Sequence, residues 1–403
     1  MSRHAVIIGA GITGLLTAIE LIKRGWKVTV AEAKHIGSGS SSRTAAGIRQ
    51  QFSTQETVLG MRYSVDFYKN FMDIVGGHTD PIVQNGYLFL LNQNIDAAVS
   101  RVEMQRTAGL EDVHFLKPDD VKHLFPYVDT DSIQGATWCS SDGFLRPGVI
   151  YGEAANAAQR LGVNIIQNAP INKVRLKNEL INEVRAGNTW LTADLFIDCT
   201  NAWSPRLAAL LGAQVLPIEP LKRYLWFIDR GEEFQEDTFA KVPMIITPKG
   251  AYCRPENRGS LLMGWAHRAD SEPSFDHDDQ DTIETPYSHT GFDSLAFEAW
   301  ETVAEYIPPF GEFDGIAATT SGYYGTTPDH NPFLGYDPHR QNLLHLVGFS
   351  GHGAMFGPFS ALAAAHLAEA GCNLDSIPLF GENVSMSAFA LDREYHASEH
   401  MVI

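Results

Sequence analysis

The feature that most constrains the chain is Gly9-Ala10-Gly11-Ile12-Thr13-Gly14, set between an apolar run and a helical pattern. Residues 4–9 (HAVIIG) are short, β-branched and continuously apolar. That reads as a strand buried on both faces of a parallel sheet. Residues 14–24 carry Leu15, Ile19 and Ile22 at helical spacing, and Gly25 stops the helix. Residues 27–31 (KVTVA) form a second buried strand ending at Glu32. Together they make a βαβ unit. Its three glycines allow a tight turn, a close backbone approach to a pyrophosphate, and close helix–strand packing. The helix N-terminus offers free N–H groups and a positive dipole end to phosphate. Glu32 is placed to accept hydrogen bonds from ribose hydroxyls and to repel a 2′-phosphate. The motif alone leaves NAD and FAD open, and a glycine-rich turn that binds nothing is the plain alternative.

The rest of the chain decides how this unit is completed. Residues 163–167, 171–176 and 181–186 read as strands, 194–199 (DLFIDC) and 342–348 (NLLHLVG) as buried strands, and 62–75, 148–161 and 356–371 as helices, the last with Gly371 just past its end. Elsewhere, 86–92 is strand-like, 94–109, 117–125 and 294–307 are helical, and 221–265 is strand-like and punctuated by turns. The acidic stretch 268–290 reads as an exposed excursion. The α/β signals sit at the start, middle and end, with antiparallel signals between them. This predicts an α/β fold with an inserted α+β part. A discontinuous Rossmann-like domain takes residues 1–85, 143–215 and 318–403, and an antiparallel-sheet substrate domain takes 86–142 and 216–317. An NAD dehydrogenase ordinarily continues into a second βαβαβ half. This chain leaves for a sheet and returns at its end, which favours FAD held extended across the domain.

Composition excludes several classes. Asp plus Glu number 48 against 30 Lys plus Arg, for a net charge of −18. A nucleic-acid binder would need a basic stripe instead. The four cysteines are scattered without CxxC spacing and the 15 histidines are dispersed. This predicts no metal site and no disulfide scaffold, and it fits a cytoplasmic location. No apolar run reaches the roughly 18 residues a membrane span needs. Glu20 lies inside the apolar N-terminal stretch, which argues against a signal peptide.

Longer motifs then narrow the reading: IGSGSSSRTAAGIRQQF (36–52), NGYLFL (85–90), DCTNAWSPRLAALLG (198–212), AYCRPE (251–256), SGYYGTTPDHNPFLG (321–335), GFSGHGAMFGP (348–358) and the terminal EHMVI. In these the chain resembles the D-amino-acid oxidase and sarcosine oxidase group of FAD-dependent flavoproteins over nearly its whole length. It most resembles the branch of the sarcosine oxidase beta subunit and the L-proline dehydrogenase beta subunit. The resemblance implies hydride transfer from an amine-bearing carbon to flavin N5, leaving an imine that water hydrolyses. The substrate would be a small amine or amino acid, and the electron acceptor O2, a quinone or a protein. Homo- or hetero-oligomers remain open, as do an H2O2-producing oxidase, a non-catalytic flavoprotein subunit or assembly factor, and an NAD-dependent dehydrogenase.

The resemblance also implies site residues. Gly9, Gly11, Ile12, Thr13, Gly14 and Glu32 would hold the dinucleotide, with Ser40, Ser41 and Arg43 crossing the pyrophosphate and ribityl chain. Gly47, Val174 and Gly322 join the cofactor contacts. Gly348, Gly351, His352 and Gly353 form a turn facing the pyrimidine edge of the flavin. Arg49 would clamp a substrate carboxylate, since a guanidinium fork matches it with two parallel hydrogen bonds. A structural salt bridge is the alternative for Arg49, and a solvated charge for Arg43. Tyr252, Arg254, Tyr324 and Trp265 are further candidates for the pocket, with core packing the alternative for the aromatics. His352 and Tyr324 are the candidate catalytic groups. Three departures from the family are visible. Gly322 stands where some relatives carry a flavin-linking cysteine, which implies non-covalent FAD. Leu262 and Met355 replace an oxygen-activating lysine and a carboxylate-binding lysine, which tilts the reading from oxidase towards dehydrogenase.

Overall fold

The computed structural model describes residues 2–231, 235–266, 280–290, 293–395 and 399. Its first sheet is organised around β1 (His4–Ile8), whose alternate residues serve two cores. Ala5 and Ile7 pack with Leu15 and Phe356, while Val6 and Ile8 pack with Leu207 and Leu211. Helix α1 (Ile12–Lys23) returns the chain to β2 (Lys27–Ala31), which pairs in parallel with β1. The six-stranded order is Phe333–Tyr336, Leu343–Val347, Leu195–Asp198, β1, β2 and Asn164–Ile166. Every pairing is parallel except that between the first two.

The second sheet has eight strands. It runs Gly315–Thr326, Glu219–Asp229, Ser260–Trp265, Ala251–Asn257, Met244–Ile246, Tyr87–Leu91, Gly135–Cys139 and Val113–Leu116. The expected antiparallel pattern holds at every junction but one. Met244–Ile246 runs parallel to Tyr87–Leu91, where strands from two separate stretches of chain meet. One face, with Trp226, Ile245 and Met263, packs against Phe239, Phe310 and helix Leu295–Tyr306. The other carries Tyr87, Phe89, Leu225, Met244, Tyr252 and Leu262, and this face turns towards the loop after β2.

Two helices depart from the expected bounds. The helix expected over 62–75 begins at Gln55, ends at Lys69 and resumes as Phe71–Val75. Its first turn is polar, so apolar periodicity starts only at Val58, but Thr54 caps it by accepting from the Thr57 N–H at 3.4 Å. The last long helix, Gly353–Ala370, contains Pro358, which cannot donate to the Ala354 carbonyl. The Tyr68 hydroxyl fills that place at 2.7 Å. The acidic stretch expected to be exposed lies partly outside the described residues. Within the rest, Gln280 is buried and donates to the Ser38 carbonyl at 3.0 Å. Among the described residues no helix is long and apolar enough to cross a membrane, and all four cysteines are free thiols.

His345, on strand Leu343–Val347 of the first sheet, lies between the carboxylates of its two neighbouring segments. Its ring donates from Nδ1 to Asp198 and from Nε2 to Asp337, each at 3.2 Å, and all three side chains are fully buried. Burial alone pushes the imidazole pKa down, but the bonds and charges of the two carboxylates raise it to about 9. A folded-state pKa above the unfolded value gives stability that is complete below about 6.5 and lost as pH rises through about 9. We expect the melting temperature to fall across that window in the wild type. In His345→Gln it should be low throughout and flat, since two buried carboxylates lose their cation at a cost of about 3–5 kcal/mol. Melting curves with the same pH dependence in both proteins would contradict this.

Candidate active site

A cleft of ≈ 430 Å³ follows the C-terminal ends of β1 and β2, where a doubly wound sheet places its dinucleotide. Gly9 has φ +107°, and a Cβ there would lie 2.9 Å from the Cys199 carbonyl oxygen. Gly9, Gly11, Ile12 and Thr13 line one wall. Gly14 does not line it: a Cβ at that position would sit 2.1 Å from the Gly9 carbonyl oxygen, so its role is to seat α1 against β1. Glu32 lines the cleft and braces the glycine turn, accepting from Ala10 N–H at 2.8 Å and Lys34 N–H at 2.9 Å. Ser41 Oγ accepts from Ile12 N–H at 3.1 Å, and Ser40 donates to the Tyr323 carbonyl at 2.6 Å. These bonds tie the small-residue loop to the glycine turn on one side and to the second sheet on the other.

Arg43 lines the cleft, ion-paired with Asp281 and donating to the Ser321 carbonyl at 3.3 Å. Gly322 faces away from the cleft, and its missing side chain makes room for Arg43, whose Cβ would lie 2.8 Å from an added Cβ. Gly351 and Gly353 line the far end. Gly348, with φ +78°, is set back from it and donates its N–H to Asn201 Oδ1 at 3.0 Å. Val174 also lies off the cleft, on strand Ile171–Lys177, where it packs against the Leu207 cluster while Ile171 reaches the wall. Asn201 is a site residue that motif reasoning passed over. It lines the cleft with φ +50°, and its Oδ1 holds the Gly348 and Phe349 N–H groups at 3.0 and 3.1 Å. The available signal was an asparagine just past a buried strand, since Asn tolerates the left-handed region.

A second, smaller cavity of ≈ 30 Å³ adjoins the cleft through Tyr324 and Gly351, which line both. Its walls include Gly47, Arg49, Tyr87, Tyr252, His352 and Met355, and among the described residues Arg49 is its only formally charged one. Arg49 is fully buried. It donates to the Gln51 carbonyl at 2.6 Å, and its guanidinium carbon lies 4.2 Å from the Phe52 ring centre. Burial lowers its pKa, opposed by Tyr87, Glu399 and Asp142.

Arg49 also meets His352 Nε2 at 3.0 Å. A guanidinium has only donors, so His352 accepts there as neutral imidazole and carries its proton on Nδ1. Burial, with the charges of Arg49 and His330, pushes its pKa well below the usual range. A general-base role through Nε2 is therefore closed. Nδ1 is buried without a partner, a donor left for a bound acceptor to satisfy.

Tyr252 and Tyr324 share a side-chain hydrogen bond at the junction. Two glycines make room for these rings: a Cβ at Gly264 would fall 2.3 Å from the Tyr252 hydroxyl, and one at Gly351 would fall 2.4 Å from Tyr324. Arg254 does not reach the cavity. It donates to the Ala45 and Pro255 carbonyls at 2.7 and 2.8 Å and pairs with Glu256 at 2.6 Å. Trp265 lies in the core on the opposite face of the sheet and donates to the Lys249 carbonyl at 3.0 Å. Leu262 is buried in the apolar layer beside Tyr87 and Phe89.

The cleft fits an extended flavin dinucleotide. It has a glycine turn for the pyrophosphate, a carboxylate at the end of β2 for the ribose, and a glycine-lined turn at the start of a long helix for the ring. Comparison with known proteins agrees. The chain is 28% identical to L-proline dehydrogenase from P. horikoshii, with a TM-score of 0.80 over 92% of this chain and 94% of that one. It is 25% identical to FAD-dependent oxidoreductase domain-containing protein 1 of Bos taurus over 99% of this chain and 86% of that protein. It is 24% identical to glycine oxidase of Geobacillus kaustophilus over 90% and 92%. The family model described as FAD dependent oxidoreductase matches residues 4–367. With that match covering most of its length, the chain belongs to the FAD-dependent oxidoreductase family of the D-amino-acid oxidase type.

Proposed function

We propose that the protein oxidises the C–N bond of a small amino acid or N-substituted amino acid, using FAD held without a covalent link. The observation that carries this reading is Arg49, a fully buried guanidinium and, among the described residues, the one formally charged group in a cavity that adjoins the cofactor cleft. The names of two relatives, L-proline dehydrogenase and glycine oxidase, support an amino-acid substrate. In this reading residues 1–85, 143–215 and 318–403 hold the cofactor, and 86–142 and 216–317 shape the substrate side, with 318–326 belonging to both as the edge strand of the second sheet. The similarity to L-proline dehydrogenase also supports the branch that includes its beta subunit.

Bound FAD supplies the two-electron acceptor for hydride. The chain's own residues do the positioning. Arg49 takes the substrate carboxylate in a charge-assisted bond and so fixes the reacting carbon. The walls from Tyr87, Tyr252, Met244 and Met355 exclude water and disfavour an ammonium group, so the substrate amine binds neutral without a dedicated base. Tyr324 stands at the junction of the two cavities, and His352 offers its Nδ1 proton as a fixed donor. Gly322, packed against Arg43, supplies no thiol at the position where some relatives link the flavin. Leu262 puts an apolar group where a lysine would favour O2, which supports a quinone or protein acceptor.

Three outcomes are expected. Acid precipitation should leave the flavin in the supernatant, whereas yellow precipitate would mean a covalent link. Under anaerobic conditions at least one of a panel of primary and secondary amino acids should bleach the visible flavin band. If none does while dithionite does, the amino-acid reading fails. Arg49→Ala should lower kcat/KM by about 10–100-fold, in line with loss of a hydrogen bond to a charged group worth ~1.5–3 kcal/mol. Steady-state kinetics with unchanged kcat/KM would remove Arg49 from the substrate site.

A further inference from the structure

A fully buried carboxylate, Asp142, braces the segment that carries Arg49. Asp142 lies at the turn between strands Gly135–Cys139 and Gly143–Leu145. Its side chain spends all its bonds on the two residues that follow Arg49. Oδ1 accepts from the Gln50 N–H at 2.8 Å and the Gln50 amide at 3.0 Å, and Oδ2 accepts from the Gln51 amide at 3.1 Å. The chain of contacts continues on both sides. The Gln51 carbonyl receives Arg49 at 2.6 Å, and the Gln51 amide also donates to the Tyr87 carbonyl at 3.0 Å. Behind Asp142, Asp112 accepts from Ser140 Oγ and the Ser141 N–H, each at 2.7 Å, and Ser141 Oγ accepts from the Gln50 amide at 2.8 Å.

A carboxylate is a costly way to close such a turn. Its partners are neutral amides, and taking an anion out of water without an ion pair is strongly unfavourable. An asparagine would fill the same space but would turn its NH2 towards the Gln51 amide donor, so the carboxylate is needed as an acceptor on both oxygens. The anion also adds negative charge near Arg49, where Tyr87 and Glu399 act more strongly in favour of the guanidinium cation. The geometry points to Asp142 as a positioning residue for substrate binding: through Gln50 and Gln51 it fixes the segment that presents the Arg49 guanidinium to the cavity. This rests on the reading of Arg49 as the carboxylate ligand. Burial pushes the Asp142 carboxyl up and its bonds to Gln50 and Gln51 pull it partly back, leaving it raised to about 7. The test therefore belongs at a pH above that value, where the group is an anion.

The experiment uses the full-length holoenzyme as wild type, Asp142→Asn and Arg49→Ala. Acetate and propionate are titrated while the flavin spectrum is followed, and kcat and KM are measured with whichever amino acid bleaches the flavin. Arg49→Ala should lose carboxylate binding. Asp142→Asn should raise the carboxylate Kd and the substrate KM about ten-fold with kcat changed less than about threefold, and it should keep its FAD. A merely structural Asp142 would lower kcat and flavin content without this split, and that outcome overturns the proposal. If Arg49→Ala loses binding while Asp142→Asn binds acetate as the wild type does, the proposal fails and the reading of Arg49 stands. If Arg49→Ala binds acetate like the wild type, the reading of Arg49 itself fails, and this inference with it. Should Asp142→Asn not fold, Gln51→Met cuts one link and leaves the carboxylate in place. Weaker acetate binding in that variant supports the proposal, and an unchanged Kd overturns it.

Discussion

A single methyl group at residue 14 would fall 2.1 Å from the Gly9 carbonyl oxygen, and the absence of that methyl sets how α1 leaves β1. Because the helix can sit that close, its N-terminus meets the cleft and its apolar face lands on the sheet. Leu15, Leu16 and Ile19 then join Phe356 in one core, so the long C-terminal helix is seated by the same contact. The turn that precedes this helix, held by Asn201, is in consequence brought to the far end of the cleft that starts at Gly9. The two ends of the cleft, far apart in sequence, are positioned by one close approach of backbone to backbone.

Buried charge is the second organising constraint. Among the described residues, four buried ions are answered in different ways. His345 is clamped between two carboxylates. Asp329 receives Arg393 through two nitrogens, at 2.7 and 2.8 Å, and that guanidinium also lies over Phe333 at 3.9 Å. Arg254 is bound by carbonyls and Glu256 and so serves the loop at Ala45. Arg49 differs from these. It is ringed by Phe52, Phe89 and Tyr87 and touches a histidine that must be neutral. The first three arrangements lock strands and loops together, whereas the fourth points a cation at a cavity.

Much of this was legible in the linear sequence. The glycine turn, the βαβ unit and the acidic end of β2 follow from spacing and periodicity alone, because they are local. The return of the chain to the first sheet was legible too, from buried strands at both ends of the sequence. Less was legible at the site. Tyr252 and Arg254 share a strand and a face, so pattern alone treats them alike, yet two residues along a strand is a displacement of about 6.6 Å. That distance puts Arg254 outside the lining, bonded to the carbonyl of the wall residue Ala45, while Tyr252 stays on the wall itself. Trp265 points to the other face of the sheet, a consequence of pairing register that no local signal carries.

Sequence by itself therefore determined the class of fold, the nucleotide turn and the small set of cations that could matter, since each is written in residue type and short-range spacing. Tertiary structure alone decided which of those cations faces the cavity. It also decided that His352 is an acceptor towards Arg49, that Asn201 holds the turn before the last long helix, and that Asp142 lies behind Arg49. Those outcomes depend on strands paired across more than a hundred residues and on desolvation at their meeting points, and neither quantity exists until the chain has folded.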